Sequence, residues 1–183
     1  MANNCYNNIE ITGDEKQLND LKNLLDNNLI DGKYLNLVNL SEKKEDESLY
    51  DSAGTGYLEV VIDFQGDTMF ITGDSAWTPA LELFKKLSIK FPYLIIVYDY
   101  EEIGCNFGGW SEIKNGIMDN KIYSYWEYKF MRDYEESLLE ARQEIEWIIE
   151  NEEEHMLESH PIRKYINNND YEIILKEIKK VNN

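Results

Sequence analysis

The order of apolar and polar residues in the first part of the chain predicts strands and helices in turn. Tyr6–Thr12 alternates as a strand does, and Asp14 follows as the N-cap of a helix whose leucines recur every three or four positions. Residues 31–56 are polar and poorly periodic, and within them the charged stretch Ser41–Ser48 predicts an exposed loop. Two β-branched runs on either side of Gln65–Asp67 then predict a hairpin.

A second helix and further strands follow the hairpin. Thr78 and Pro79 suit the cap and first turn of this helix, and Tyr93–Tyr100 is the most strongly predicted strand. Two more strands are expected at Ile103–Trp110 and Lys121–Lys129. The order strand, helix, strand, strand, helix, strand is that of the split βαβ, or ferredoxin-like, arrangement, with both helices on one face of an antiparallel sheet. The predicted fold class is therefore α+β.

The C-terminal third has a different pattern. From Asp133 to Glu158 apolar residues recur at spacings of three and four, which predicts one long helix, and Tyr171–Val181 predicts a shorter one. The long helix carries eleven Asp and Glu but one Arg. We expect a ferredoxin-like core domain at residues 1–120 and an acidic C-terminal extension at 121–183, formed by a strand and helices, that packs on it.

The strongest compositional feature is negative charge. The 183 residues include 36 Asp and Glu against 18 Lys and Arg, which gives a net charge of −18. A field of this sign repels the phosphates of nucleic acids and anionic lipids. The sequence has no run rich in Lys and Arg, and the nearest are pairs such as Lys43-Lys44 and Lys85-Lys86. Direct binding to nucleic acid or to a membrane is therefore not expected.

The sequence also bears on the cellular compartment. Cys5 and Cys105 form no CxxC pair and are too few for a disulfide framework, so both are predicted to be buried free thiols. The polar N-terminal residues do not resemble a signal peptide, and no apolar run has the length of a membrane span. These features predict a cytosolic protein.

Candidates for catalytic or metal chemistry are weak. Ser75 invites comparison with hydrolases, but neither histidine lies in a motif that would make it the general base. Glu152–His155 are consecutive on a predicted helix, so their side chains point in different directions and do not converge on one ion. Gly104–Trp110 lacks the glycine spacing of a dinucleotide site and predicts a bulged edge strand. We expect no catalysis, no cofactor and no metal.

Three segments carry a resemblance to a known family. Met1–Asn7 is similar to its Met-Ala-Asn-x-Cys-x-Asn opening, and Ser75–Pro79 is similar to its Thr-Ala-Trp-Ser-Pro element. Phe91-Pro92, Tyr98–Gly104 and Phe107–Gly109 resemble its Phe-Pro…Tyr-x-Glu-x-Gly…Phe-x-Gly ending. This is the YubB-type ferredoxin-like family of plasmid and bacteriophage proteins. The resemblance covers about residues 1–120 and implies the fold and a mobile-element origin, without catalytic residues. The family's usual Trp-Gly-Thr-Lys-Trp-like segment is absent here.

The long acidic helix supports the leading functional hypothesis. Its like charges recur at i, i+4 and i+8, a spacing that opposes helix formation unless the apolar stripe compensates. One interpretation is an ordinary solvated face. The other is a negative rod that imitates a nucleic-acid backbone and occupies a basic groove on another protein. The partner-binding carboxylates would be Glu136, Glu140, Glu144, Glu146 and Glu150.

This hypothesis predicts a non-catalytic inhibitor encoded by a mobile element. Its partner would be a host defence protein with a basic nucleic-acid-binding surface, such as a CRISPR effector nuclease. One alternative is an RNA- or nucleotide-binding module that stacks bases on Tyr98, Tyr100 and Phe107 across the open face of the sheet, although the net charge argues against it. Another is an enzyme of unknown type, which a deep pocket with convergent polar groups would reveal.

Overall fold

The computed structural model of this protein describes residues 3–134 and residue 147. The chain forms two compact units, Met1–Ile122 and Tyr123–Asn183. In the described part the elements follow one another as β1 (Asn4–Gly13), α1 (Glu15–Asp26), β2 (Leu29–Ile30), β3 (Tyr34–Leu35), α2 (Leu37–Leu40), α3 (Leu49–Ala53), β4 (Val61–Gln65), β5 (Thr68–Ala76), α4 (Leu81–Lys90), β6 (Leu94–Glu102), β7 (Phe107–Lys114), β8 (Ile117–Ser124) and α5 (Tyr125–Tyr134).

Six strands form one antiparallel sheet in the order β4-β5-β1-β6-β7-β8. The first four strands in this order have the ferredoxin-like arrangement, in which the first strand of the chain lies between two later ones. Ile9 of β1 pairs with Ile71 of β5 on one side and with Tyr98 of β6 on the other. The predicted α+β, ferredoxin-like fold is confirmed, and β7 and β8 extend its sheet.

One face of this sheet and the two long helices of the first unit enclose the core. Cys5, Asn7, Ile9 and Ile11 of β1 are buried, whereas the β1 residues between them are exposed. Leucines of α1 and apolar residues of α4 join the same buried cluster. Because a strand points successive side chains to opposite faces, α1 and α4 cover one face of the sheet. We call the opposite face the outer face.

The predicted helix starts were right in one case and wrong in the other. The backbone N–H of Gln17 donates to Asp14 Oδ1 at 2.9 Å, which confirms Asp14 as the N-cap of α1. Thr78 does not cap α4, which begins at Leu81 and has no side-chain cap. The Thr78 hydroxyl donates instead to the carbonyl of Gly54 at 2.5 Å, because this stretch folds back against α3.

The poorly periodic segment 31–56 contains parts of the core on either side of the predicted loop. It forms β3, α2 and α3, each five residues or fewer, and it buries Leu35, Leu37, Leu40 and Ala53. Elements this short do not complete enough turns or alternations to show a period, so the sequence did not predict them. Residues 41–48 form no helix or strand, in agreement with the loop predicted at Ser41–Ser48.

The last strands also differ from their predictions. Strand β7 begins at Phe107, because Ile103–Asn106 form the turn after β6, and it lies between β6 and β8 rather than at the sheet edge. Asn115 and Gly116 connect β7 to β8, with φ angles of 46° and 76°. Asn-Gly with two positive φ angles is a common two-residue hairpin turn. It makes β8 begin at Ile117, earlier than the predicted start at Lys121.

Helix α5 replaces the second half of the strand predicted at Lys121–Lys129. The backbone N–H and the hydroxyl of Ser124 both donate to Glu127 Oε2, at 3.1 and 2.8 Å. This Ser-x-x-Glu arrangement favours a helix start at that point. Of the helices predicted for Asp133–Glu158 and Tyr171–Val181, only the end of α5 and the helical Trp147 fall within the described residues. The described helices are all too short or too polar to cross a membrane.

Candidate functional site

The carboxylates predicted to contact a partner cannot be placed on the structure. Glu136, Glu140, Glu144, Glu146 and Glu150 lie outside the described residues, as do Glu152–His155 and His160. Their role in binding therefore stays a prediction, and the site described below is built from the first unit.

Several residues of the three resembling segments form a buried hydrogen-bond network. The side-chain amide of Asn7 donates to the Cys5 carbonyl at 2.8 Å and to Ser75 Oγ at 2.9 Å. Asn7 Oδ1 accepts from the Tyr98 hydroxyl at 2.7 Å, and Ser75 Oγ donates to the Thr78 carbonyl at 2.8 Å. The network links β1, β5 and β6 inside the sheet. These residues therefore serve the fold.

The same network makes Ser75 a poor candidate for a catalytic nucleophile. Ser75 is fully buried, and its hydroxyl is engaged with Asn7 and Thr78. Both histidines of the chain lie outside the described residues, so the described part holds no histidine that could act as its base. Within residues 3–134, moreover, no three His, Cys, Asp or Glu side chains are arranged to hold a metal ion.

The two cysteines have different surroundings. Burial above all, together with the negative charge of Glu102, raises the pKa of the Cys5 thiol to about 12. Cys105 is exposed, so the prediction of two buried thiols was wrong for this residue, which lies in the turn between β6 and β7. A hydrogen bond to Glu102 raises the pKa of Cys105. Both thiols stay protonated near neutral pH and are poor nucleophiles.

The aromatic residues predicted to stack bases do not lie on the outer face. Tyr98 and Tyr100 are 0% and 1% exposed, because the even-numbered residues of β6 face the helices. Phe107 packs edge-on against Tyr100, with ring centroids 6.2 Å apart. Burial raises the pKa of Tyr100 to about 12 and that of Tyr98 as well. The proposed stacking platform is therefore part of the interior.

The outer face displays a row of carboxylates that the sequence did not reveal. Strand register places Asp63, Phe70, Glu10, Val97 and Glu112 side by side on β4, β5, β1, β6 and β7. The three acidic members of this row are exposed. Since neighbouring strands are about 4.8 Å apart, the acidic residues follow one another at about 10 Å. We call Asp63, Glu10 and Glu112 the acidic row.

Further acidic residues lie on the same face. A second line across the sheet places Asp74, Tyr6 and Glu101 next to one another, and Asp99 of β6 shares their face. Their charge acts on nearby groups: burial first, and then the negative charge of Asp74, raises the pKa of Tyr57. Acidic residues thus recur along two lines across the outer face.

Lysines do not neutralise the acidic row. The ion pairs between described residues are Lys22–Asp26, Lys33–Glu59, Lys85–Glu82 and Lys90–Glu42. The pairs Lys43-Lys44 and Lys85-Lys86 belong to the helical side of the molecule, whereas Lys114, two residues from Glu112 on β7, shares the outer face with the acidic row. The acidic row therefore has a basic neighbour at its Glu112 end.

A signal for the acidic row exists in the sequence. Glu10 stands between Ile9 and Ile11, and Asp63 stands between Ile62 and Phe64. Alternation alone therefore assigns each carboxylate to the polar face of its strand. The missing information is the register, which brings residues from distant parts of the chain into one row.

Comparison with known proteins establishes the family. Residues 62–166 match the family described as the ferredoxin-like domain in Api92-like protein, over more than half of the 183 residues. The chain belongs to this family. The ferredoxin-like match begins within β4 and extends to residue 166, past the end of the resemblance noted over residues 1–120. No curated protein and no solved structure matches the chain.

Proposed function

We propose that this protein is a non-catalytic, anionic binding protein. It docks on the basic nucleic-acid-binding surface of a host defence protein, a CRISPR effector nuclease being one candidate, and inhibits that protein by occupying its groove. A plasmid or phage encodes it, and it acts in the bacterial cytosol. The observation that carries the proposal is the exposed acidic row of Asp63, Glu10 and Glu112 on one rigid sheet face.

The sheet gives these carboxylates a fixed spacing. Each acidic residue stands on a strand with a paired neighbour on at least one side, so backbone hydrogen bonds hold the row before a partner arrives. Preorganised contacts lose less conformational entropy on binding than contacts on a mobile segment. A concentrated negative potential also speeds the encounter with a basic partner and disfavours acidic ones.

The same charges argue against direct contact with nucleic acid. Phosphates approaching the outer face would meet Glu10, Asp63 and Glu112, and like charges at close range repel. The buried hydroxyl of Ser75 and the protonated thiols offer no activated nucleophile in the described part of the chain. Binding without turnover therefore accounts for more of the observations than an enzyme does.

The predicted acidic helix belongs to the same proposal. Glu136, Glu140, Glu144, Glu146 and Glu150 would add a second set of carboxylates to the surface that a basic groove accepts. The two sets are separable by mutation, because one lies in strands of the first unit and the other in the predicted extension.

A competition experiment tests the proposal. A labelled DNA duplex is bound to a CRISPR effector nuclease, and its electrophoretic mobility is followed while this protein is added at about 50 and 200 mM salt. We expect displacement of the DNA at the lower salt and much less at the higher. Replacing the acidic row (Glu10→Gln, Asp63→Asn, Glu112→Gln) should weaken displacement by about tenfold.

The matched control removes three negative charges elsewhere. Glu15, Asp20 and Glu45 are exposed and lie in α1 or in the loop before α3, so E15Q, D20N and E45Q change the net charge equally. Displacement by this control should stay close to that of the original protein. A parallel variant with Gln at the five predicted helix positions separates the contribution of the extension. Failure to displace DNA at low salt would remove the proposal for this nuclease.

A further inference from the structure

A largely apolar groove lies on the helix-covered side of the sheet, away from the acidic row. It has a volume of about 480 Å³ and lies between the start of α4 and strands β6, β7 and β8. Its apolar lining comes from Pro79, Leu81, Tyr100, Phe107, Met118 and Ile122. Helix α4 packs against β6 and β7, and the added strand β8 extends the sheet past it, which leaves this space open.

The size and lining of the groove are those of a small-molecule site. Ligand pockets commonly measure about 300–1,000 Å³ and combine an apolar wall with a few polar groups. Tyr100 forms part of the floor and is 1% exposed, while Ile122 at the rim is 63% exposed. An apolar body placed here would cover the exposed part of Ile122 and bury surface that water now contacts.

One hydrogen-bond donor in the groove is unused. Asn120 Oδ1 accepts from the Tyr100 hydroxyl at 2.8 Å and from the Ser111 hydroxyl at 2.5 Å. These two donors fix the orientation of the amide, so Nδ2 keeps its N–H groups, and no described residue accepts from them. Every buried side-chain nitrogen and oxygen in the described part has a partner, so Nδ2 is open to solvent.

The side chains that line the groove offer no positive charge to an anion. Glu82 is the one charged side chain among its lining residues, and its ion pair with Lys85 is long at 4.0 Å and exposed. A carboxylate or phosphate bound here would lie near this negative charge, and Asn120 is the one side-chain amide among the lining residues of the groove. The Thr78 hydroxyl is already engaged with Gly54.

The geometry points to a binding site for a small, uncharged, mainly apolar ligand that carries a carbonyl oxygen. The apolar body would lie on Tyr100, Leu81 and Met118, and the carbonyl would accept from Asn120 Nδ2. This site is separate from the acidic row, so it is independent of the proposed docking function.

Titration by NMR tests this inference on the full chain. The probe is 4-phenylbutan-2-one, which has an aromatic body and one carbonyl, and the comparison is 4-phenylbutanoate, which replaces the ketone with a carboxylate. We expect saturable shifts at the Asn120 side-chain amide and at the Leu81 and Met118 backbone amides, with a Kd of about 1 mM for the ketone. The carboxylate should bind at least about tenfold more weakly.

Two variants distinguish a real site from weak adsorption. Asn120→Asp keeps an oxygen for the Tyr100 and Ser111 hydroxyls but removes the Nδ2 donor, and it should weaken ketone binding by about fivefold. Ile122→Trp should fill the groove and abolish the shifts, whereas Ile117→Trp on the same strand lies outside the groove and should leave them unchanged.

Several results would overturn the site. They are the absence of saturable shifts up to about 10 mM ketone, equal affinity in I122W and I117W, or equal affinity for the ketone and the carboxylate. An unchanged Kd in N120D would overturn the assigned role of Nδ2. Retained spectral dispersion in each variant shows that it is folded.

Discussion

The hydroxyl of Tyr98 donates a hydrogen bond to Asn7 Oδ1 at 2.7 Å, and both side chains are buried. The same hydroxyl accepts from the backbone N–H of Ala80 at 2.9 Å. One phenol oxygen therefore connects β6 to β1 and to the start of α4, the helix that has no side-chain cap of its own. This contact explains why a polar pair is kept within an apolar core.

Removing this hydroxyl should destabilise the fold. Tyr98→Phe keeps the ring but leaves the Ala80 N–H without its acceptor and Asn7 Oδ1 without its closest donor. We expect the free energy of unfolding to fall by about 1–3 kcal/mol, measured by urea denaturation followed by circular dichroism. Tyr93→Phe is the control, because Tyr93 is 71% exposed. Equal stability of the two variants would show that the buried bond contributes little.

A close backbone contact at Gly73 gives a second prediction. A Cβ added at Gly73 would lie 2.8 Å from the carbonyl carbon of Glu59 and closer still to its oxygen. Gly73→Ala should therefore push residues 58–60 away from β5 and cost about 3 kcal/mol, measured by thermal or urea unfolding. Gly56→Ala is the matched substitution, since its nearest neighbour is the flexible Tyr50 hydroxyl at 3.2 Å. A mild effect at Gly73 would contradict this strand contact.

The buried tyrosines predict loss of stability at alkaline pH. Burial raises the pKa of Tyr100 from 10.0 to about 12, so the folded protein holds this proton more tightly than the unfolded chain does. The stabilisation is complete below about pH 10 and is lost as the pH rises through about 12. Tyr100→Phe removes this ionisation and should reduce the fall by up to about 1.4 kcal/mol per pH unit in that interval.

The comparison is made by urea unfolding of both proteins from pH 8 to about pH 12. Tyr98 and Cys5 also have raised pKa values, so the variant should retain part of the alkaline loss. A variant whose stability falls as steeply as that of the original protein would show that Tyr100 ionises freely in the folded state.

Sequence patterns predicted the helices and strands that are long enough to show a regular spacing of apolar residues. The leucines of α1 and the alternation around Ile9 and Ile11 identified a helix and a central strand correctly. Segment 31–56 was missed because its elements are too short to show a period. The start of α5 was missed for another reason. Ser124 and Glu127 form a recognisable helix-start signal, but the surrounding residues also fit a strand pattern.

The candidate site was harder to predict from the sequence than the fold was. Each member of the acidic row can be assigned to a polar strand face, but nothing local says that Asp63, Glu10 and Glu112 share one row. That arrangement depends on strand order and register, which tertiary packing sets. Tyr98 and Tyr100 were misassigned for the same reason, since alternation does not say which face the helices cover.

The most direct test of the central claim measures binding without DNA. Isothermal titration of a CRISPR effector nuclease with this protein, at about 50 and 200 mM salt, gives the affinity and its salt dependence. For the variant E10Q/D63N/E112Q we predict about tenfold weaker binding at low salt and a smaller salt effect, while E15Q/D20N/E45Q binds like the original protein. Equal affinities for the original protein and the first variant, or equal losses in both variants, would contradict the role of the acidic row.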